Sequence, residues 1–153
     1  MSIEVTKFKR TGKGEIHLKW TQLKADSNIE MDMTNPEAPS QEFEQALSAI
    51  VPHFIKLAEL DNEEKDNLKI VDISFSRTGD DEILAWQATA QFNLQKITGK
   101  RIVKMPKFLC QDGGENTTET NICDRVISET IYAFLDQCEK YIGGERLQVS
   151  ADV

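Results

Sequence analysis

The chain has 153 residues, which fits one domain, and its 39% hydrophobic and 29% charged residues are typical of a globular protein. Its formal net charge of −8 argues against a protein that coats nucleic acid, because phosphate binding requires a basic excess. No apolar run approaches the ~20 residues needed to cross a bilayer, and the first residues lack the apolar core of a signal peptide. We therefore expect a cytoplasmic protein.

Alternating apolar residues predict three strands in the first part of the chain, at residues 3–8, 15–23 and 28–33. Short turns separate these strands, which indicates an antiparallel meander. A helix is expected next, because Ser40 is a good N-cap and the apolar residues after it recur at helical spacing. Pro52 lies inside this run and should kink or restart the helix.

The second half of the chain predicts a β-hairpin, an edge strand and a helix. Residues 69–77 and 83–97 form the hairpin, and the second strand shows the clearest alternation in the chain. Its polar face carries an uncharged ladder that suits water, a ligand or a second subunit: Gln87, Thr89, Gln91, Asn93 and Gln95. Residues 101–109 predict an edge strand that Pro106 breaks. The last element is a helix of about 22 residues that Gly143 ends.

The element order βββ-α-ββ(β)-α predicts an α+β fold. We expect an antiparallel sheet of five to six strands with two helices packed on one face. Residues 1–148 should form this single domain, and residues 149–153 a short tail.

No catalytic or metal-binding set is recognisable in the sequence. His17 and His53 have no cysteine or carboxylate near them at metal-ligand spacing, so we expect no metal, no cofactor and no catalytic residue. The carboxylates Asp80, Asp81 and Glu82 lie in a predicted turn, where solvated charge is the usual explanation. A metal-dependent hydrolase stays open as an alternative that would need these groups to converge with others.

The three cysteines are not arranged as a redox or zinc motif. Cys123 and Cys138 fall on the apolar stripe of the last predicted helix and are expected in the core. Cys110 is the only one expected to be exposed, and nothing near it in the sequence would activate it as a nucleophile.

The most informative feature is the segregation of charge. Residues 1–24 hold six basic and two acidic residues, and residues 96–107 hold five basic residues and no acid. Together they predict a positive patch that could hold an anion. Its candidate residues are Lys7, Lys9, Arg10, Lys13, Lys96, Lys100, Arg101, Lys104 and Lys107. The simpler interpretation is that these lysines protect exposed sheet edges against mispairing.

Three stretches are distinctive: the helical run from Pro39 to His53, the strands with Ile73-Ser-Phe75-Ser76 and Ala88-Thr-Ala90-Gln, and the end Tyr141-Ile142-Gly-Gly144-Glu145-Arg146-Leu-Gln148. They resemble stretches of small, uncharacterised early proteins of tailed phages and prophages. The resemblance implies a non-structural phage product made in the host bacterial cytoplasm. It implies no activity, so no catalytic residue is carried over.

Two binding hypotheses follow. The first is a non-enzymatic, homo-oligomeric protein that sequesters a small anionic, nucleotide-like ligand or a host factor, which would counter bacterial defence. The second is a recombination or replication accessory that binds single-stranded DNA, with Phe8 or Phe108 as a base-stacking aromatic.

Overall fold

The computed structural model describes residues 2–23, 26–60, 68–78, 83–93, 100–110 and 122–144. These residues form seven strands and two helices, which confirms the α+β class. The elements are β1 (Ser2–Arg10), β2 (Ile16–Leu23), β3 (Asn28–Asn35), α1 (Gln41–Leu57), β4 (Leu68–Thr78), β5 (Ile83–Asn93), β6 (Lys100–Lys104), β7 (Phe108–Leu109) and α2 (Arg125–Ile142). The predicted edge strand breaks around Pro106, as expected, and gives β6 and the two-residue β7.

All strand pairs of the sheet are antiparallel, and the strand order is β3-β2-β1-β4-β5-β6. The strand β7 pairs with β5 as well, beside β6. The first strand is therefore central, because the connection through α1 brings β4 to its free side. The strand β3 forms one edge of the sheet.

Both helices cover the same face of the sheet. Phe8 of β1 is fully buried, and its ring lies 5.8 Å from that of Phe43 in α1 and 5.2 Å from that of Phe134 in α2. Trp86 and Phe92 of β5 are also buried, as the alternation predicts. Side chains that alternate with these residues point to the opposite face, over which neither helix lies.

Two β-bulges change the simple alternation. The register shifts between Val5 and Lys7 in β1, and between Ile70 and Asp72 in β4. An extra residue in a strand reverses which side chains face the core beyond it. Simple alternation with Ile73 and Phe75 would place Val71 on the core face, but because of the bulge Val71 is only half-buried, while Ile70 is buried.

The helix α1 runs from Gln41 to Leu57 without a restart at Pro52. Pro52 and Ser48, whose carbonyl loses its helical partner, are both exposed, so water can satisfy that carbonyl. The end of α1 has Schellman-type bonds, from Leu60 N–H to Ile55 O and from Glu59 N–H to Lys56 O.

The helix α2 is shorter than predicted. Asp124 is its N-cap, and its carboxylate accepts a bond from the Ile127 N–H at 2.9 Å. Ile122 lies before the helix and forms an isolated parallel bridge with Leu109. The apolar residues just before α2 therefore pair with the sheet instead of continuing the helix. Among the described residues, neither helix is long and apolar enough to cross a membrane.

Candidate anion-binding site

Four basic side chains form two directly opposed pairs on β1 and β2. Lys7 is opposite Lys19, and Lys9 is opposite His17. Since Phe8 points into the core between them, Lys7 and Lys9 face the side of the sheet without helices. Opposed Cβ atoms lie about 5 Å apart and the two pairs about 6.7 Å apart along the strands. We call Lys7, Lys9, His17 and Lys19 the basic square.

Carboxylates on the neighbouring strands flank the basic square. Asp32 of β3 lies 2.6 Å from the His17 Nε2 and 4.0 Å from the Lys19 Nζ. On the other side, Asp72 of β4 lies 3.6 Å from the Lys7 Nζ. Lys9 is exposed and makes no ion pair with another described residue. With three lysines against two carboxylates, the basic square keeps a net positive charge, and its exposed side chains are accessible to a ligand from solvent.

The structure separates Arg10 from the predicted patch. Its Nη2 donates to both carboxylate oxygens of Glu44 in α1, at 3.0 and 3.1 Å, and its side chain is only 14% exposed. Strand alternation is the reason, because Arg10 faces the helices while Lys9 faces away from them. Lys13 lies in the exposed turn between β1 and β2, beyond the square.

Of the second basic segment, the two lysines whose side chains are described, Lys104 and Lys107, do not meet the basic square. Lys104 shares a row with Lys9 on the same face, since Lys9 pairs with Asp72, Asp72 with Thr89, and Thr89 with Lys104. Three strand spacings separate the two lysines, or about 14 Å. Lys107 is exposed between β6 and β7.

Three members of the predicted patch have side chains outside the described part of the chain. Lys100 and Arg101 belong to β6 by their backbone, and Lys96 lies in residues 94–99, which are not described. Of the polar ladder on β5, Gln87, Thr89 and Gln91 share the face of the basic square and are half-buried. Gln87 Nε2 donates to the Met105 carbonyl at 2.9 Å. The side chains of Asn93 and Gln95 are again outside the described ones.

The aromatic residues proposed for stacking DNA bases are not on this face. Phe8 is fully buried under the helices, so that expectation is wrong, and Phe108 is half-buried. In the described strands, the apolar side chain most exposed on the face is Ile102, at 67%.

A buried thiol pair is the feature that sequence reasoning missed. Cys110 is 2% exposed, so its predicted exposure is wrong, and Cys123 is 2% exposed as well. The pKa of the Cys123 thiol is lowered to about 6, and the main cause is hydrogen bonding to Cys110. Burial acts in the opposite direction and raises this pKa, whereas hydrogen bonding to Ser128 and to the Trp86 indole lowers it further. The Trp86 N–H makes no well-aligned hydrogen bond within the described residues, yet it lies beside this sulfur and favours the thiolate.

The hydrolase hypothesis and the family resemblance receive no support. Asp80, Asp81 and Glu82 lie outside the described residues. Within the described ranges, no three His, Cys, Asp or Glu side chains are grouped so as to hold a metal ion.

Comparison of the chain with protein-family models, with curated proteins and with solved structures found no match. The phage resemblance and the function therefore stay predictions.

Proposed function

We propose that this protein is a binding protein that holds a phosphate-bearing, nucleotide-like ligand over the basic square. The observation that carries the proposal is the direct cross-strand opposition of Lys7 to Lys19, with Lys9 opposite His17 beside them. Like charges directly opposed in a sheet are destabilising, and Asp72 and Asp32 offset this only in part, because they are two carboxylates against three lysines. A bound phosphate would relieve this repulsion through hydrogen bonds from the ammonium groups.

The surroundings of the square suit a ligand that is larger than phosphate alone. Ser74 and Gln87 continue the Lys7 row across the sheet, and Thr89 continues the Lys9 row. Hydroxyl and amide groups can donate and accept hydrogen bonds, as sugars and base edges require. In the setting implied by the phage resemblance, the protein would sequester a nucleotide signal of host defence.

Single-stranded DNA is the second candidate, and one observation favours it. Lys104 lies on the row of Lys9, so a longer polyanion could cross the sheet from β1 to β6. Sequence-tolerant binding of single strands usually adds aromatic stacking. Because Phe8 is buried, it cannot stack on a base, whereas the lysines of this face can bind a phosphate. Single-stranded DNA therefore ranks second.

A homo-oligomer stays a prediction, and the edge strand β3 limits how it could form. Glu30 and Asp32 face the same side of this strand, where they pair with Thr21 and Lys19 of β2. Two copies of β3 paired antiparallel about Met31 would place Glu30 of each copy against Asp32 of the other. Like charges in that position oppose association, so a two-fold contact along β3 is disfavoured.

Titration of the full chain with a panel of cyclic and adenine-derived nucleotides and with inorganic pyrophosphate tests the proposal. A ligand at 100 times its Kd should add about 2.7 kcal/mol to the free energy of unfolding in a thermal-shift assay. We expect Lys9→Gln to weaken binding about fivefold or more, since one charge-assisted hydrogen bond is lost. The matched control Lys140→Gln, which removes a lysine from α2, should bind as the unmodified chain does.

Lys104→Gln separates the two candidates. It should leave nucleotide binding unchanged but weaken binding of an oligonucleotide, because only a long ligand reaches β6. No stabilisation by any nucleotide or by pyrophosphate would overturn the proposal. Equal binding by the Lys9→Gln and Lys140→Gln variants would overturn the assigned site.

A further inference from the structure

The backbone brings Cys110 and Cys123 side by side. Leu109 and Ile122 form a parallel bridge, and the Cys123 N–H donates to the Leu109 carbonyl at 2.9 Å. The next residue of each segment is a cysteine, and neighbouring segments in such a bridge lie about 4.8 Å apart. Cα atoms of disulfide-bonded cysteines are usually about 4.4–6.8 Å apart, so the backbone fits a disulfide.

The two thiols lie beside each other in the reduced protein. Neither cysteine forms a disulfide, and hydrogen bonding to Cys110 is the largest cause of the lowered pKa of the Cys123 thiol. The Cys123 Sγ also lies 3.3 Å from the Leu109 carbonyl oxygen and 3.4 Å from the Ser128 Oγ. This cluster anchors the start of α2 to β7, on the helix-covered side of Trp86.

We propose that Cys110 and Cys123 form a redox-active dithiol that hydrogen peroxide oxidises to an intramolecular disulfide. The Cys123 thiolate attacks one peroxide oxygen, the O–O bond breaks, and hydroxide leaves, which gives a sulfenic acid. The Cys110 thiol then attacks the Cys123 sulfur, the S–O bond breaks, and water leaves after taking up the thiol proton. In total, two thiols and one peroxide give one disulfide and two waters.

The burial of the cysteines determines which oxidants can reach them. Because each thiol is 2% exposed, a small peroxide should reach the pair more easily than a bulky aromatic disulfide. Cys138 in α2 is fully buried, and burial raises the pKa of its thiol well above the ordinary value. Cys138 therefore serves as the internal control, because it also carries a thiol but has neither a neighbouring thiol nor a lowered pKa.

Mass spectrometry of the peroxide-treated full chain tests the proposal. Trypsin cleaves after Lys107 and Arg125, so both cysteines lie in one peptide, residues 108–125. This peptide should lose about 2 Da, the mass of two hydrogens, and should resist alkylation until a reductant is added. The Cys138 peptide should remain fully alkylated in the same sample.

Two variants establish the order of the steps. Cys110→Ser should trap Cys123 as a sulfenic acid, a gain of about 16 Da, because the resolving thiol is missing. Cys123→Ser should leave Cys110 at least tenfold less reactive. A peptide 108–125 that keeps both thiols under peroxide, or Cys138 oxidised as fast as the pair, would overturn the proposal. The peptide readout on the unmodified chain decides the matter even if a variant does not fold.

Discussion

Removing the carboxylate of Asp72 should strengthen anion binding rather than weaken it. In the free protein Asp72 neutralises Lys7 at 3.6 Å, and it would lie close to any phosphate that the lysine holds. With an ammonium–oxygen hydrogen bond of about 2.8 Å, the carboxylate and the phosphate would be separated by about 6 Å. At that separation the repulsion between unit charges is about 0.7 kcal/mol in water and about 2.8 kcal/mol near a protein surface.

The Asp72 side chain is 23% exposed and that of Lys7 is 39% exposed, so solvent screening favours the lower part of this range. We therefore expect Asp72→Asn to raise the affinity for pyrophosphate or a nucleotide by about 1 kcal/mol, or roughly fivefold at low salt. The fold should tolerate the change, since exposed ion pairs contribute about 0.2–1 kcal/mol.

Isothermal titration calorimetry of this variant is a sharper test than a loss of binding, because damage to the fold would not increase affinity. The control is Asp136→Asn, which removes a carboxylate paired with Lys140 at 3.4 Å in α2, away from the basic square. It should leave the affinity unchanged. Equal or weaker binding by Asp72→Asn would refute the placement of the anion beside Lys7.

Three further predictions concern stability. Phe134→Ala should cost about 3–5 kcal/mol in chemical denaturation, because this buried ring contacts two others, whereas Val126→Ala at a 63% exposed position should change little. Glu59→Gly should stabilise the protein by about 1 kcal/mol and raise Tm by about 2–4 °C, since Glu59 has a left-handed φ of 58°; Glu59→Ala, which keeps the strain, should not. Burial lowers the pKa of His53 below its ordinary 6.5, so the unfolded chain binds the extra proton and stability should fall as pH drops below about 6.5. Denaturation at pH 5–7 should show a shallower fall for His53→Gln.

The strands could be predicted because their signal is local. The alternation along β5 correctly placed Trp86 and Phe92 in the core. The bulges could not be predicted, because an extra residue such as Val71 leaves the local composition unchanged while it reverses the faces. The same limit applies to Pro52, where exposure of the unpaired carbonyl allows the helix to continue.

The candidate sites depend on contacts between distant parts of the chain. Alternation alone separates Arg10 from Lys9, but its partner Glu44 is known only once α1 is packed on β1. Lys19 is one of the six basic residues within positions 1–24, yet its position opposite Lys7 follows only from the hairpin register. Cys110 and Cys123 meet only through the bridge between β7 and the residues before α2, for which the sequence has no spacing motif.

The most direct test of the binding site is an NMR titration of the isotopically labelled chain with pyrophosphate and with the nucleotide that stabilises it most. Shifts should concentrate on Lys7, Lys9, His17 and Lys19, on the side of the sheet away from the helices. Residues of α1 and α2 should keep their resonances. Perturbations centred on the helices, or uniform small changes across the protein, would contradict an anion site on β1 and β2.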